Sequence, residues 1–253
     1  MAAKNPIDSV SDSNAATPQT QPEPIIGNLP LHIQISEMLV REIKAGMLAN
    51  EERLPPERQM AERLQISVGT LRKSLADLES KGMLVRKHGS GNYVQNNPKV
   101  DNVYALFRLE LCNGGGLPTA ELVSIDTLKK PGSLPAFGKS KYAHRFRRLR
   151  RLNGTNAAVE EIWLDRSYVD RINSDEVTES LYLFYKEILG FWITRAEDRV
   201  SVATLPDWAP DGFFAANHSH YGYVERLSRD NNGMLAEYSR TWFDPQTVRF
   251  VAR

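Results

Sequence analysis

"LPPERQMAERLQISVGTLRKSLADLESKGMLVRKHGSGNYV", Leu54 to Val94, holds two short amphipathic runs followed by a basic pair of strand-like segments with a glycine-rich tip. Pro55 and Pro56 suit the first turn of a helix, where a backbone N–H is unpaired in any case. Met60, Ala61 and Leu64 mark the inner face of that helix. Ser67 can cap a second helix by accepting a hydrogen bond from its first N–H groups. Leu71, Leu75 and Leu78 give it a buried stripe, and Gly82 ends it. The outward face near its start carries Gly69, Arg72 and Lys73. Two short helices joined by a tight turn form a helix-turn-helix, whose second helix can enter a major groove N-terminus first. "MLVRK" and "NYVQ" around "HGSG" add a hairpin flanked by Arg86, Lys87 and His88, a wing able to lie against phosphates. Upstream, Leu31, Ile35, Leu39 and Ile43, with Met38 beside them, form the apolar face of a further helix, which Gly46 caps. The leucines are core whether this unit binds DNA or another protein, so the DNA reading rests on the outward residues.

The bulk numbers frame that reading. The chain has 253 residues, 41% hydrophobic and 25% charged, a globular composition with room for two domains. Its net charge of +1 gives no global signal for nucleic acid. Residues 31–97 hold ten Lys/Arg against eight Asp/Glu, only +2, so placement rather than total charge must carry DNA binding. The single cysteine, Cys112, excludes an internal disulfide and a cysteine-built zinc site. No apolar run is long enough to span a bilayer, and the N-terminus lacks the apolar centre of a secretory signal. A cytoplasmic location, with no membrane partner, is expected. Residues 1–28, rich in Ser, Asn, Thr, Gln, Pro and Ala, are expected to form a disordered tail. The winged unit spans 29–95, "NNPKVDN" within 96–102 reads as a linker, and 103–253 form a second unit.

The N-terminal anchors resemble the DNA-binding domain of the gluconate-repressor (GntR) family of bacterial transcription factors. The opening "PLHIQISEMLVREIKAG" and the stretch quoted above keep almost every family anchor in register over about 65 residues. The resemblance implies that Arg58 contacts phosphate and base from the first helix of the pair. It implies that Ser67, Thr70 and Arg72 act from the recognition helix, and that Gly89 and Gly91 shape the wing tip. Gly69, Lys73 and His88 complete the expected DNA-binding set. Two departures stand out. Pro56 replaces the family's usual serine, and Val68 replaces the arginine that usually follows the capping serine. Loss of that arginine removes a bidentate guanine contact, the commonest specific readout. Val68 could instead touch a thymine methyl, so the operator sequence cannot be borrowed from relatives.

Beyond the linker the pattern changes to "YALFRLEL", "AELVSIDTL", "YAHRFRRLRRL", "AAVEEIWLD", "RVSVATL", "YGYVERLSRD" and "AEYSRTWFD", which read as strands rich in β-branched and aromatic residues. Asn153-Gly154 between two of them is a hairpin signal. "VTESLYLFYKEILGF" reads as a helix with Leu181, Phe184, Tyr185 and Ile188 on one face, and "WAPDGFFAANHS" as a second, short helix. The chain is therefore expected to be α+β: a winged helix-turn-helix, then a mostly antiparallel sheet with a few helices. "RRLRRLNGTNAAVEEIWLD" and "LAEYSRTWFDPQTVRFVAR" resemble the effector domain (UTRA) of the histidine-utilisation-repressor (HutC) branch, whose fold is like that of chorismate lyase.

Alternation along Tyr142–Leu152 puts Phe146, Arg148 and Arg150 on one face and Arg145, Arg147 and Arg151, with Leu149, on the other. Two guanidiniums facing inward need an anion, and their forks match phosphate and carboxylate. The resemblance also places Arg148 and Arg150 at the family's effector-anchoring positions. Glu160 or Glu161 could accept hydrogen bonds from ligand hydroxyls, and Glu237 and Tyr238 are further candidates. The plainer reading of these arginines is a solvated basic strand edge. "CNGGGLP", Cys112 to Pro118, is either an anion-binding loop or a flexible connection. His218 and His220 lack an evident third ligand, so no metal and no cofactor is expected. These features predict a transcription regulator, in the sense of a repressor, that binds double-stranded operator DNA as a homodimer under control of a small anionic effector such as a sugar phosphate or organic acid. The rivals are an enzyme with a lyase-like C-terminal domain, for which no nucleophile–base pair is evident, and a regulator with an amino-acid-derived effector.

Overall fold

The structure, a computed structural model, describes residues 30–97, 106–214 and 218–252. The tail expected at 1–28 and most of the expected linker lie outside these residues. Helix α1 (Leu31–Lys44) buries Ile35, Met38, Leu39, Val40 and Ile43, whereas Leu31, expected on that face, is 43% exposed at the first turn. Its end is a Schellman turn: Gly46 N–H donates to Ile43 O and Met47 N–H to Glu42 O, with Gly46 at φ +73°. Helix α2 (Glu57–Arg63) follows Pro56 at its N-cap. The same turn closes it, but with Gln65 in the left-handed conformation, a position where glycine is usual. Ser67 caps α3 (Val68–Ser80), its hydroxyl accepting from Thr70 N–H at 3.0 Å. Leu71, Leu75 and Leu78 join the α1 face and Met60 in one core. Strands β1 (Leu84–Lys87) and β2 (Gly91–Val94) pair antiparallel as the wing.

The second unit is a six-stranded antiparallel sheet built from β4 (Pro118–Lys129), β5 (Tyr142–Leu152), β6 (Thr155–Asp165), β7 (Ile193–Ala203), β8 (Tyr221–Asp230) and β9 (Leu235–Phe243). Its order is β4-β5-β6-β9-β8-β7, and a separate small pair joins β3 (Leu109–Leu111) to β10 (Val248–Phe250). The β5–β6 hairpin turns at Asn153 and Gly154, with φ of +49° and +76°, the left-handed pair that this dipeptide favours. Helix α4 (Leu181–Glu187) lays Leu181, Phe184 and Tyr185 against Phe146 and Ile162. It is shorter than the periodicity of 177–191 suggests. The short helix expected in "WAPDGFFAANHS" is not found among the described residues. Pro210 and Gly212 there make a turn, and Phe213 and Phe214 pack on Tyr221 instead. No described helix is long and apolar enough to cross a membrane.

Candidate functional sites

The winged unit presents Arg58, Ser67, Gly69, Arg72 and Lys73 to solvent on the α2–α3 face, with Thr70 half-buried beside Ser67. His88 and Gly89 are exposed at the wing tip and Gly91 is half-buried. Gly89 and Gly91 have φ of +70° and +116°, so the tip needs residues without a Cβ. The Arg72 guanidinium donates to Glu57 at 2.7 Å, so this exposed charge near the start of α3 is oriented by a carboxylate from α2. Glu57 was not marked from the sequence; its role depends on the angle between two helices. Val68 is partly buried, packed against the domain core.

On one face of the large sheet, β5, β6, β8 and β9 with α4 enclose a cavity of about 100 Å³, room for several waters or a small polar group. Arg148 and Arg150 reach it from β5, side by side on the inward face, 4% and 5% exposed. Both grip Glu160 of β6: Arg148 Nη2 donates at 2.7 Å, and Arg150 donates from Nη2 at 3.0 Å and Nε at 3.3 Å. Burial pushes the Glu160 carboxyl up, but Arg150 and Arg148 outweigh it and hold it at about 2. Arg148 also donates to the Glu179 carbonyl, while its buried Nε has no hydrogen-bond partner among the described residues. One carboxylate thus accepts from two buried guanidiniums in a low-dielectric site, with Glu179 also close enough to feel both charges.

Glu237 of β9 enters the same cavity, accepting from Tyr185 at 2.6 Å and Ser228 at 2.9 Å. Burial raises its pKa above the ordinary carboxylate range. Burial and the nearby Glu237 push the Tyr182 hydroxyl up to about 12. Arg226 of β8 lines the cavity as well, paired with Asp198 at 2.6 and 2.9 Å and donating to Leu106 O at 2.6 Å. The sequence reading passed over Arg226, although it lies two residues from Val224 and on its face, which is the alternation that marked Arg148 and Arg150.

Glu161 and Tyr238 do not share this cavity. Each is next in sequence to a cavity residue, and strand alternation sends it through to the other face. Glu161 accepts there from Arg147 at 3.2 Å, from Trp163 Nε1 at 3.0 Å and from Arg240. Tyr238 packs with Phe137 and Trp163 and donates to Glu225. The glycine loop is a tight turn next to β3, where Leu111 N–H donates to Gly115 O. A Cβ on Gly116, whose φ is +113°, would stand 3.0 Å from Leu152 Cβ, so packing explains that glycine. His218 Nε2 lies 3.2 Å from Asp244, and His220 is exposed beside Ser219.

Residues 31–94 match the bacterial regulatory proteins of the gntR family, and residues 114–249 match the UTRA domain. The chain is 53% identical over 227 residues to the HTH-type transcriptional regulator SmoD of Agrobacterium fabrum, covering 90% of this chain and 97% of that one. It is 27% identical over 229 residues to the HTH-type transcriptional repressor NagR of Bacillus subtilis, covering 88% and 94%. Among solved structures, the possible transcriptional regulator YydK from Bacillus subtilis superposes with a TM-score of 0.50 at 20% identity, over 89% of this chain and 99% of that one.

Proposed function

Since the chain belongs to the GntR family of bacterial transcription regulators and carries a UTRA domain as its second unit, we propose that it is a homodimeric repressor released from its operator by a small anionic effector. The chain is a transcription regulator and not an enzyme, as are the relatives named above. Arg58 of α2, the α3 N-terminus with Ser67, Gly69, Thr70, Arg72 and Lys73, and the wing with His88, Gly89 and Gly91 read DNA. A lone winged helix covers few base pairs, so two copies on paired half-sites supply specificity. The sign of regulation follows the repressor among its relatives.

The observation that carries the effector reading is the pair of buried guanidiniums sharing one carboxylate. Arg148 and Arg150 bind the effector's anionic group, such as a phosphate or carboxylate, and Glu160 and Glu237 receive its hydroxyls. The effector works by binding the released state more tightly than the operator-bound one. A thermal-shift screen of sugar phosphates and organic acids tests this, run in parallel on the wild type and Arg148→Ala. The expected result is one or more anions that stabilise the wild type and leave Arg148→Ala unmoved. Equal stabilisation of both proteins would remove Arg148 from the site.

A further inference from the structure

The effector cavity and the DNA-binding unit meet at one aromatic ring. Phe107 precedes β3, and residues 106–109 form part of the cavity wall. Two guanidiniums lie over its ring: Arg150, at 5.1 Å from the ring centroid, and Arg41 of α1, at 5.4 Å. Arg41 and Arg150 are both buried, so these are desolvated cation–π contacts, the stronger kind. The segment is held at its flanks, since Arg226 Nη1 donates to Leu106 O at 2.6 Å and Val251 N–H to Arg108 O at 2.7 Å. Arg148, on the same face and bound to the same Glu160, has no such ring contact among the described residues.

We infer that Phe107 is the positioning residue through which the cavity acts on the DNA-binding unit. The inference rests on the effector reading of that cavity. An anion drawn to Arg150 competes with the electron-rich ring face for the same guanidinium. As Arg150 turns to the anion, the ring loses one of the guanidiniums it faces, and its hold on Arg41 and on α1 loosens. The helix that buttresses α3 then changes its seat on the sheet unit. By thermodynamic reciprocity, whatever shifts Arg41 also shifts effector affinity.

The test needs no effector. Operator duplexes are selected from random DNA with the full-length wild type, and the Kd for one of them is measured for single and double variants. Arg150→Gln is expected to shift the operator Kd by about two- to thirty-fold, the span of one such contact. Phe107→Leu is expected to reproduce the Arg150→Gln shift, and the double variant to add nothing further. Phe107→Tyr keeps the ring face and is expected to behave as wild type, an outcome that separates ring chemistry from simple packing. If Arg150→Gln does not fold, Phe107→Leu against Phe107→Tyr decides alone. An unchanged operator Kd for Arg150→Gln, additive effects in the double variant, or Phe107→Tyr failing like Phe107→Leu would each overturn the inference. None of these results touches the anion reading of the cavity, whose own failure is an anion response that survives loss of Arg148.

Discussion

Replacing Glu160 by glutamine removes the one carboxylate that two buried guanidiniums share, so its cost measures how charged the cavity is. The folded protein holds this carboxyl at about 2 against an ordinary 4.5. That displacement corresponds to about 3 kcal/mol of stability at neutral pH. Burial lowers the pKa of Arg148 itself, which offsets part of this sum. Breaking a buried pair by removing one partner costs about 3–5 kcal/mol, because the other charge is stranded. Glu160→Gln is therefore expected to lose about 3 kcal/mol at pH 7. Since the folded pKa is depressed, the stabilisation is complete above about 4.5 and fades as pH falls toward 2. The gap between wild type and variant should shrink across that window. Urea unfolding followed by tryptophan fluorescence isolates the right unit, since Trp163, Trp192, Trp208 and Trp242 all lie in the sheet unit. Millimolar phosphate or sulfate should then stabilise Glu160→Gln more than the wild type, by standing in for the missing carboxylate. A cost near zero, or a gap unchanged from pH 7 to pH 3, would refute the view that Arg148 and Arg150 depend on an anion.

Further outcomes concern the DNA-binding unit. Arg72→Ala is expected to weaken operator binding by about 1–3 kcal/mol in a gel-shift titration, the worth of a specific base contact; an unchanged Kd removes Arg72 from the readout. Ser67→Ala deletes the α3 cap and is expected to destabilise the winged unit by about 1 kcal/mol, read by circular dichroism on denaturant unfolding. Operator affinity should fall steeply between about 50 and 200 mM salt, as phosphate contacts release counterions; a flat response would argue against the exposed Arg58, Lys73 and His88 as phosphate partners.

The sequence showed most where one short period sets the structure. Leu71, Leu75 and Leu78 fixed α3, Ser67 and Gly82 its ends, and Asn153-Gly154 the hairpin, because each acts on its immediate neighbours. Alternation along β5 placed Arg148 and Arg150 together on the buried face. The same rule, applied one residue out on β6 and β9, would have separated Glu160 from Glu161 and Glu237 from Tyr238. It could not do so unaided, because the strand reading did not fix which of two adjacent carboxylates faces inward. That choice is set by register, and the pairing of Arg148 with Glu160 fixes it. Glu57 and Phe107 were out of reach for another reason. Each matters through a partner distant in sequence, Arg72 and Arg41 respectively. No helix forms in the described part of 208–214, because Pro210 and Gly212 make a turn and Phe213 and Phe214 pack on Tyr221.

The proposed control of operator binding by an anion held at Arg148 is tested by titrating a selected operator duplex with wild type and Arg148→Ala, each with and without the anion that stabilises the wild type. Equal operator Kd values are expected without the anion, and a weakening of about five-fold or more with it in the wild type alone. Weakening of the same size in Arg148→Ala, or none in the wild type, would contradict it.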